Sequence, residues 1–144
     1  MRTLITGGAG FIGSHLTDEL VARGDEVVVL DDLSTGRLDN LDGAIASVRF
    51  VEGSVLDAPL VDDLVSKVDR VFHLAAAVGV HTILNEPLKS LRTNLHGTEN
   101  VLEAALRHDA AVMLASTSEV YGKDRADALD EGADRMLGSR RTAR

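Results

Sequence analysis

The chain alternates short, unbroken apolar runs with longer stretches in which apolar residues recur every three or four positions. Leu4-Ile5-Thr6 predicts a short buried strand. Residues 11–23 place Ile12, Leu16, Leu20 and Val21 at helical spacing, and Gly24 follows where a glycine commonly ends a helix. Val27-Val28-Val29-Leu30 is apolar at every position, the pattern of a strand covered on both faces. Val48-Arg49-Phe50-Val51 predicts a third strand, residues 60–65 a short helix, and Val71-Phe72-His73-Leu74 a fourth strand. Leu88, Leu91, Leu95, Val101, Leu102, Ala105 and Leu106 mark a long amphipathic helix whose stripe reads as core. Pro87 stands near its start, where an N–H has no intrahelical partner. Val112-Met113-Leu114-Ala115 predicts a fifth strand.

Strands alternating with helices imply right-handed crossovers and a parallel sheet. The expectation is an α/β, doubly wound sheet of Rossmann type with strand order 3-2-1-4-5. Residues 123–144 are mostly charged or small, with Leu129, Met136 and Leu137 as their large aliphatics, and are expected to form a loose exposed tail after a domain of residues 1–122.

Composition narrows the choice of partners. A length of 144 residues with 44 % apolar residues fits one globular domain. A net charge of −8 argues against nucleic acid, whose phosphates need a basic face. There is no cysteine, hence no disulfide and no thiolate metal ligand. His73, His81 and His96 show no metal-ligand spacing, so no metal is expected; His73 reads as a packed core histidine, and His81 as a residue that could face substrate. No apolar run approaches the ~20 residues of a membrane span, and the N-terminus lacks a leader pattern. These features read as a soluble cytoplasmic protein without a membrane partner.

The strongest chemical signal is Thr6-Gly7-Gly8-Ala9-Gly10-Phe11-Ile12-Gly13. Gly7, Gly10 and Gly13 follow a strand and open a helix. The first permits a tight turn, the second a close backbone approach to a pyrophosphate, the third close packing of helix on strand. The helix N-terminus offers free N–H groups and a positive dipole end. Asp31 ends the second strand, where a carboxylate can accept from ribose hydroxyls and repel a 2′-phosphate. That favours NAD, while nearby Arg37 could meet a 2′-phosphate and keeps NADP as the alternative. Asp32 reads equally well as a solvated loop carboxylate.

The spacing Gly7-x-x-Gly10-x-x-Gly13 resembles the extended short-chain dehydrogenase/reductase family, specifically its nucleotide-sugar epimerases, dehydratases and decarboxylases. So do Asp31-Asp32-Leu33-Ser34, His73-Leu74-Ala75-Ala76, Asn94-Leu95-His96-Gly97-Thr98 and Ser116-Thr117-Ser118-Glu119-Val120-Tyr121-Gly122, and the resemblance runs from residue 1 to about 122. It implies that Phe11 and Ile12 cover the pyrophosphate with backbone N–H groups. It places Asp31, Asp32, Ser34, Thr35 and Gly36 around the adenosine ribose, Leu74, Ala75 and Ala76 along the cofactor, and Asn94 near it. Gly53-Ser54-Val55 stands where the family usually has an aspartate facing the adenine amino group, and Ser54 is a weaker acceptor. Asp57 reads instead as a helix N-cap.

By the same resemblance the reaction is transient oxidation of a sugar hydroxyl by NAD, with a tyrosinate as base, a lysine four residues later, and a Ser or Thr hydroxyl orienting the substrate. Tyrosine, ordinarily near ~10, must be lowered to serve near neutrality. Thr117 matches the hydroxyl position, and Ser118 and Glu119 follow it in a form closer to dehydratases and UDP-glucuronate decarboxylases, where the glutamate assists proton transfer. The Tyr-x-x-x-Lys pair itself is absent: the one tyrosine is Tyr121, and Arg125 stands four residues on. The chain therefore reads as truncated, without the C-terminal sugar-binding lobe. The full-length family implies a nucleotide-sugar substrate and a homodimer formed through the long helix. Without the helix that would lie beside it, part of the leucine stripe is expected to meet water. A catalytically inactive fragment and a dinucleotide-sensing module are the alternatives.

Overall fold

The computed structural model describes residues 1–78 and 84–121. The chain forms two compact units, Met1–Leu114 and Ala115–Arg144. In the first lie β1 (Arg2–Thr6), α1 (Phe11–Ala22), β2 (Glu26–Asp31), β3 (Val48–Glu52), α2 (Ala58–Val65), β4 (Arg70–His73), α3 (Pro87–His108) and β5 (Ala111–Leu114). All strand pairs are parallel and the order is β3-β2-β1-β4-β5, as the alternation of patterns implied. Among the described residues no helix is long and apolar enough to cross a membrane.

Local chemistry sets the ends of these elements. Gly24 takes φ +82° just after α1, and its N–H reaches the Val21 carbonyl at 2.9 Å. Asp57 caps α2 by accepting from Leu60 N at 3.1 Å, as its position suggested. Pro87 opens α3, and Asp109 closes it in the left-handed conformation.

The pleat sends neighbouring residues to opposite faces. Leu4 and Leu30 pack with Val61, Leu64, Val65, Val101, Ala104 and Ala105, so α2 and α3 cover one face. Ile5, Val27 and Val29 pack with Leu20 and Leu41, so α1 and the turn Leu38–Leu41 cover the other.

Helix α3 is as long and amphipathic as expected, and part of its leucine stripe meets water as expected; the reading of the whole stripe as core does not hold. It buries Ser90, Gly97, Val101, Ala104 and Ala105 against the sheet side. A Cβ on Gly97 would stand 2.5 Å from a Val55 methyl, so small residues let the helix approach. Leu88, Leu91, Leu95, Leu102 and Leu106 lie around the opposite side and are 68, 55, 59, 45 and 87 % exposed. Of the predicted stripe, Val101 and Ala105 are core, and the leucines form a second, exposed apolar stripe. The core stripe is made of smaller residues that hydrophobic periodicity alone weights less.

Candidate functional site

The glycine turn lies at the carboxyl end of β1. Gly7 adopts φ +73°, donates to the Leu30 carbonyl at 2.8 Å, and lies so near the next strand's loop that a Cβ would stand 2.7 Å from Ala75 N. A Cβ on Gly13 would stand 2.2 Å from the Gly7 oxygen and 2.6 Å from Gly8 Cα, so α1 begins pressed onto the turn. Gly10 is the N-cap of α1; no side chain caps the helix and no acidic residue occupies its first turn. The first intrahelical bond is Ser14 N to the Gly10 carbonyl at 2.9 Å, which leaves the N–H groups of Phe11, Ile12 and Gly13 without a partner inside the helix. The side chains of Phe11 and Ile12 are exposed, and the Phe11 ring meets His15 edge-on. This terminus suits a phosphate: its dipole end is not neutralised and its donors point outward.

Asp31 ends β2 and is buried. Its Oδ2 accepts from Ala9 N and its Oδ1 from Leu33 N, both at 2.9 Å. Ala9 is held again through its carbonyl, which accepts from Arg37 N at 3.0 Å and from Asn40 Nδ2 at 2.8 Å. Asp31 thus clamps the glycine turn to the loop after β2, a role that sequence spacing did not reveal. A carboxylate has about four lone-pair sites, so acceptor capacity remains for a hydroxyl. Asp32 Oδ1 accepts from Ser34 N and Ser34 Oγ, closing a local turn in which Ser34 and Thr35 are exposed. Gly36 stands against Ala9, where a Cβ would be 2.9 Å from its carbonyl carbon. Arg37 pairs with Asp39 at 3.2 Å on the exposed surface.

The end of β3 joins the same rim, since Gly53 N donates to the Asp31 carbonyl at 3.0 Å. Ser54 Oγ accepts from Leu56 N at 3.2 Å, and the Val55 side chain is in the core. The loop after β4 completes the rim. Leu74 N bonds the Thr6 carbonyl at 3.0 Å, and Ala75 N bonds Thr6 Oγ1 at 3.3 Å. Ala76 follows, and Ala77 N donates to Asn94 Oδ1 of α3 at 2.8 Å. Asn94 therefore holds this loop.

His73, at the end of β4, is buried with Thr6 Oγ1 at 2.7 Å from Nδ1 and Thr98 Oγ1 at 3.0 Å from Nε2. Burial holds its pKa below the ordinary value of about 6.5. The unfolded chain then takes the proton first, so this contribution to stability is complete above pH ~6.5 and is lost as pH falls toward the folded value. Thermal melts on either side of pH ~6.5 should show the loss on the acid side, and His73→Gln should flatten that decline.

In the second unit, Ser118–Tyr121 form a 3-10 turn, and Val120 N bonds the Thr117 carbonyl at 3.2 Å. The Thr117 side chain is exposed. The side chains of Ser118 and Glu119, together with His81 and the tail 123–144, lie outside the described residues. Among the described residues no group of three or more His, Cys, Asp or Glu is placed to hold a metal.

Comparison with known proteins agrees with this geometry. Residues 4–135 match the family model described as GDP-mannose 4,6 dehydratase. The chain is 44 % identical over 138 residues to a UDP-N-acetyl-alpha-D-glucosaminuronate decarboxylase of Bacillus cytotoxicus, covering 96 % of this chain and 43 % of that protein. It is 46 % identical over 123 residues to UDP-glucuronic acid decarboxylase 1 of Arabidopsis thaliana, covering 85 % of this chain and 27 % of that one. A dTDP-glucose 4,6-dehydratase from Streptomyces venezuelae, solved with NAD bound, superposes with a TM-score of 0.87 at 36 % identity, covering 95 % of this chain and 46 % of the other. The chain thus spans less than half the length of each of these relatives. With the family model matched over most of its length and the sheet order, glycine turn and acidic strand end all in place, the chain belongs to the nucleotide-sugar epimerase/dehydratase family of the extended short-chain dehydrogenases/reductases, of which it spans the N-terminal part.

Proposed function

We propose that this chain is the NAD-binding portion of a nucleotide-sugar epimerase, dehydratase or decarboxylase that works through transient oxidation of a sugar hydroxyl. The observation that supports this best is the cradle itself. Gly7 and Gly13 have no room for a side chain, α1 presents unpaired N–H groups beside them, and a buried Asp31 stands at the neighbouring strand end. NAD would supply the hydride acceptor. The N–H groups of Phe11, Ile12 and Gly13 would meet its pyrophosphate. Asp31 and Asp32, with Ser34, Thr35 and Gly36, would surround the adenosine ribose. Ser54 and the backbone of Val55, whose side chain is in the core, would stand at the adenine, and Leu74, Ala75 and Ala76 along the dinucleotide. Thr117, Ser118 and Glu119 are the proposed substrate-side residues, with a nucleotide sugar as substrate of the longer protein. The exposed leucines of α3 support a homodimer in that protein. The acidic net charge supports neither nucleic acid nor an anionic membrane as partner, and a cytoplasmic location fits the absence of cysteine.

Calorimetric titration should show NAD bound about tenfold or more tighter than NADP, a difference of roughly 1.4 kcal/mol, because a 2′-phosphate would approach the Asp31 carboxylate. Asp31→Ala should narrow that ratio and also weaken both dinucleotides, since it releases Ala9 and Leu33. A preference for NADP in the unsubstituted chain would overturn the assignment.

The inactive reading has one specific observation in its favour: the one tyrosine, Tyr121, belongs to the Val120-Tyr121-Gly122 element, and no Tyr-x-x-x-Lys pair occurs in the sequence. The 144-residue chain alone is therefore expected to turn over none of UDP-glucose, UDP-glucuronate or dTDP-glucose in a coupled assay. Turnover that disappears in Thr117→Val would show that the chain supplies a working base from elsewhere.

A further inference from the structure

We propose that His73 is a positioning residue, held as the neutral Nε2–H tautomer in a one-directional hydrogen-bond chain that fixes the loop bordering the glycine turn. Thr98 Oγ1 donates its single hydrogen to the Asn94 carbonyl at 2.8 Å. It can therefore only accept from the imidazole, 3.0 Å away, and Nε2 must carry the proton. Nδ1 of the neutral ring is then an acceptor, and Thr6 Oγ1, at 2.7 Å, must donate to it. Thr6 Oγ1 keeps a lone pair for Ala75 N at 3.3 Å. The polarity runs without a break from Ala75 N–H through Thr6 and His73 to Thr98 and the carbonyl of Asn94.

The other two protonation states fail at named atoms. The Nδ1–H tautomer sets the Nε2 lone pair against a hydroxyl oxygen whose hydrogen is already engaged, and strands the hydrogen of Thr6. The imidazolium strands the same Thr6 hydrogen and buries a charge between two neutral hydroxyls. Burial of the ring acts in the same direction, since desolvation favours the neutral form.

The chain matters because of what its two ends hold. One end fixes Ala75, whose backbone packs against Gly7. The other end is the Asn94 turn of α3, and the Asn94 side chain grips Ala77 N at 2.8 Å and Ala77 O at 3.4 Å. His73 thereby sets the spacing between the end of β1 and α3, with the 74–77 loop strung between them. That this loop lines a dinucleotide rests on the function proposed above. The placement of the loop does not.

The test uses the full chain. Nitrogen-15 spectra of the histidine rings, with His73 assigned through the signals lost in His73→Gln, should show a protonated Nε2 and a bare Nδ1 at neutral pH. Thr98→Val, an isosteric change that removes the hydroxyl, should speed hydrogen exchange at Ala75 and Ala77 about tenfold and weaken NAD to a similar degree. Thr98→Ser should restore both. An Nδ1–H or charged ring in the unsubstituted chain would overturn the proposal even if Thr98→Val failed to fold. So would unchanged protection at Ala75 and Ala77 in a folded Thr98→Val. If the unsubstituted chain gave no heat with NAD, the proposed function would fall, while the tautomer and the exchange rates would still decide the role of His73.

Discussion

Gly13→Ala is expected to eliminate measurable NAD binding and to lower the melting temperature by roughly 10 °C. The added methyl would meet backbone on two sides, the Gly7 oxygen and Gly8 Cα, and neither can rotate away. Overpacking costs about 1–3 kcal/mol, and rigid obstacles put this site at the upper end. A domain's net stability is ~5–15 kcal/mol, so the loss is visible in a thermal melt. Gly10→Ala is the informative partner. Its Cβ would meet only the Gly7 oxygen, at 3.3 Å, so the fold should survive with a small shift. The methyl would nonetheless stand where the pyrophosphate approaches, and NAD affinity should fall about tenfold. If binding and melting fell in strict parallel across both variants, the glycines would be structural alone.

The second large effect concerns α3. At high concentration the chain is expected to associate through Leu88, Leu91, Leu95, Leu102 and Leu106, which are between 45 and 87 % exposed on one side of the helix. Full burial of a leucine contributes about 1.5–3 kcal/mol, so a few of them covered together are enough for a stable contact. Replacing Leu91, Leu95 and Leu102 by lysine should weaken association at least a hundredfold by sedimentation or light scattering. It should leave the melting temperature of dilute samples nearly unchanged, because substitutions at exposed positions usually stay within about 0.5 kcal/mol. A clean monomer at high concentration in the unsubstituted chain would show that this face is covered in solution.

The two effects mark where sequence reading succeeds and where it stops. Unbroken apolar runs such as Val27-Val28-Val29-Leu30 locate the parallel strands, because both faces of the sheet are covered and every position must be apolar. The glycine turn is equally legible, because φ +73° at Gly7 and the contact at Gly13 leave one residue type that fits. In helix α3 the pattern is only half legible: exposure of part of the leucine stripe is expected, but the residues that face the sheet are not singled out. Its strongest hydrophobic signal comes from leucines that face away from the core. Its real core contacts use Ser90, Gly97, Ala104 and Ala105, whose small size is what the packing requires. Periodicity marks an apolar face without saying what will cover it. Asp31 is a different case. Its position at the strand end was evident, but the hydrogen bonds to Ala9 and Leu33 depend on how a loop folds back, which no local pattern encodes. The Thr6–His73–Thr98 chain joins residues far apart in sequence and was invisible for the same reason.

The central claim is that NAD binds across the carboxyl ends of β1, β2 and β4, at the amino end of α1. Amide chemical-shift mapping during a titration with NAD tests it most directly, because it locates the ligand without requiring catalysis. The largest shifts should fall on Ala9, Phe11, Ile12 and Gly13, with smaller ones at Leu33, Ser34, Ala75 and Ala76, and all of them should vanish in Gly13→Ala. Shifts confined to the exposed leucine face of α3, or no shifts at all at saturating NAD, would contradict the account.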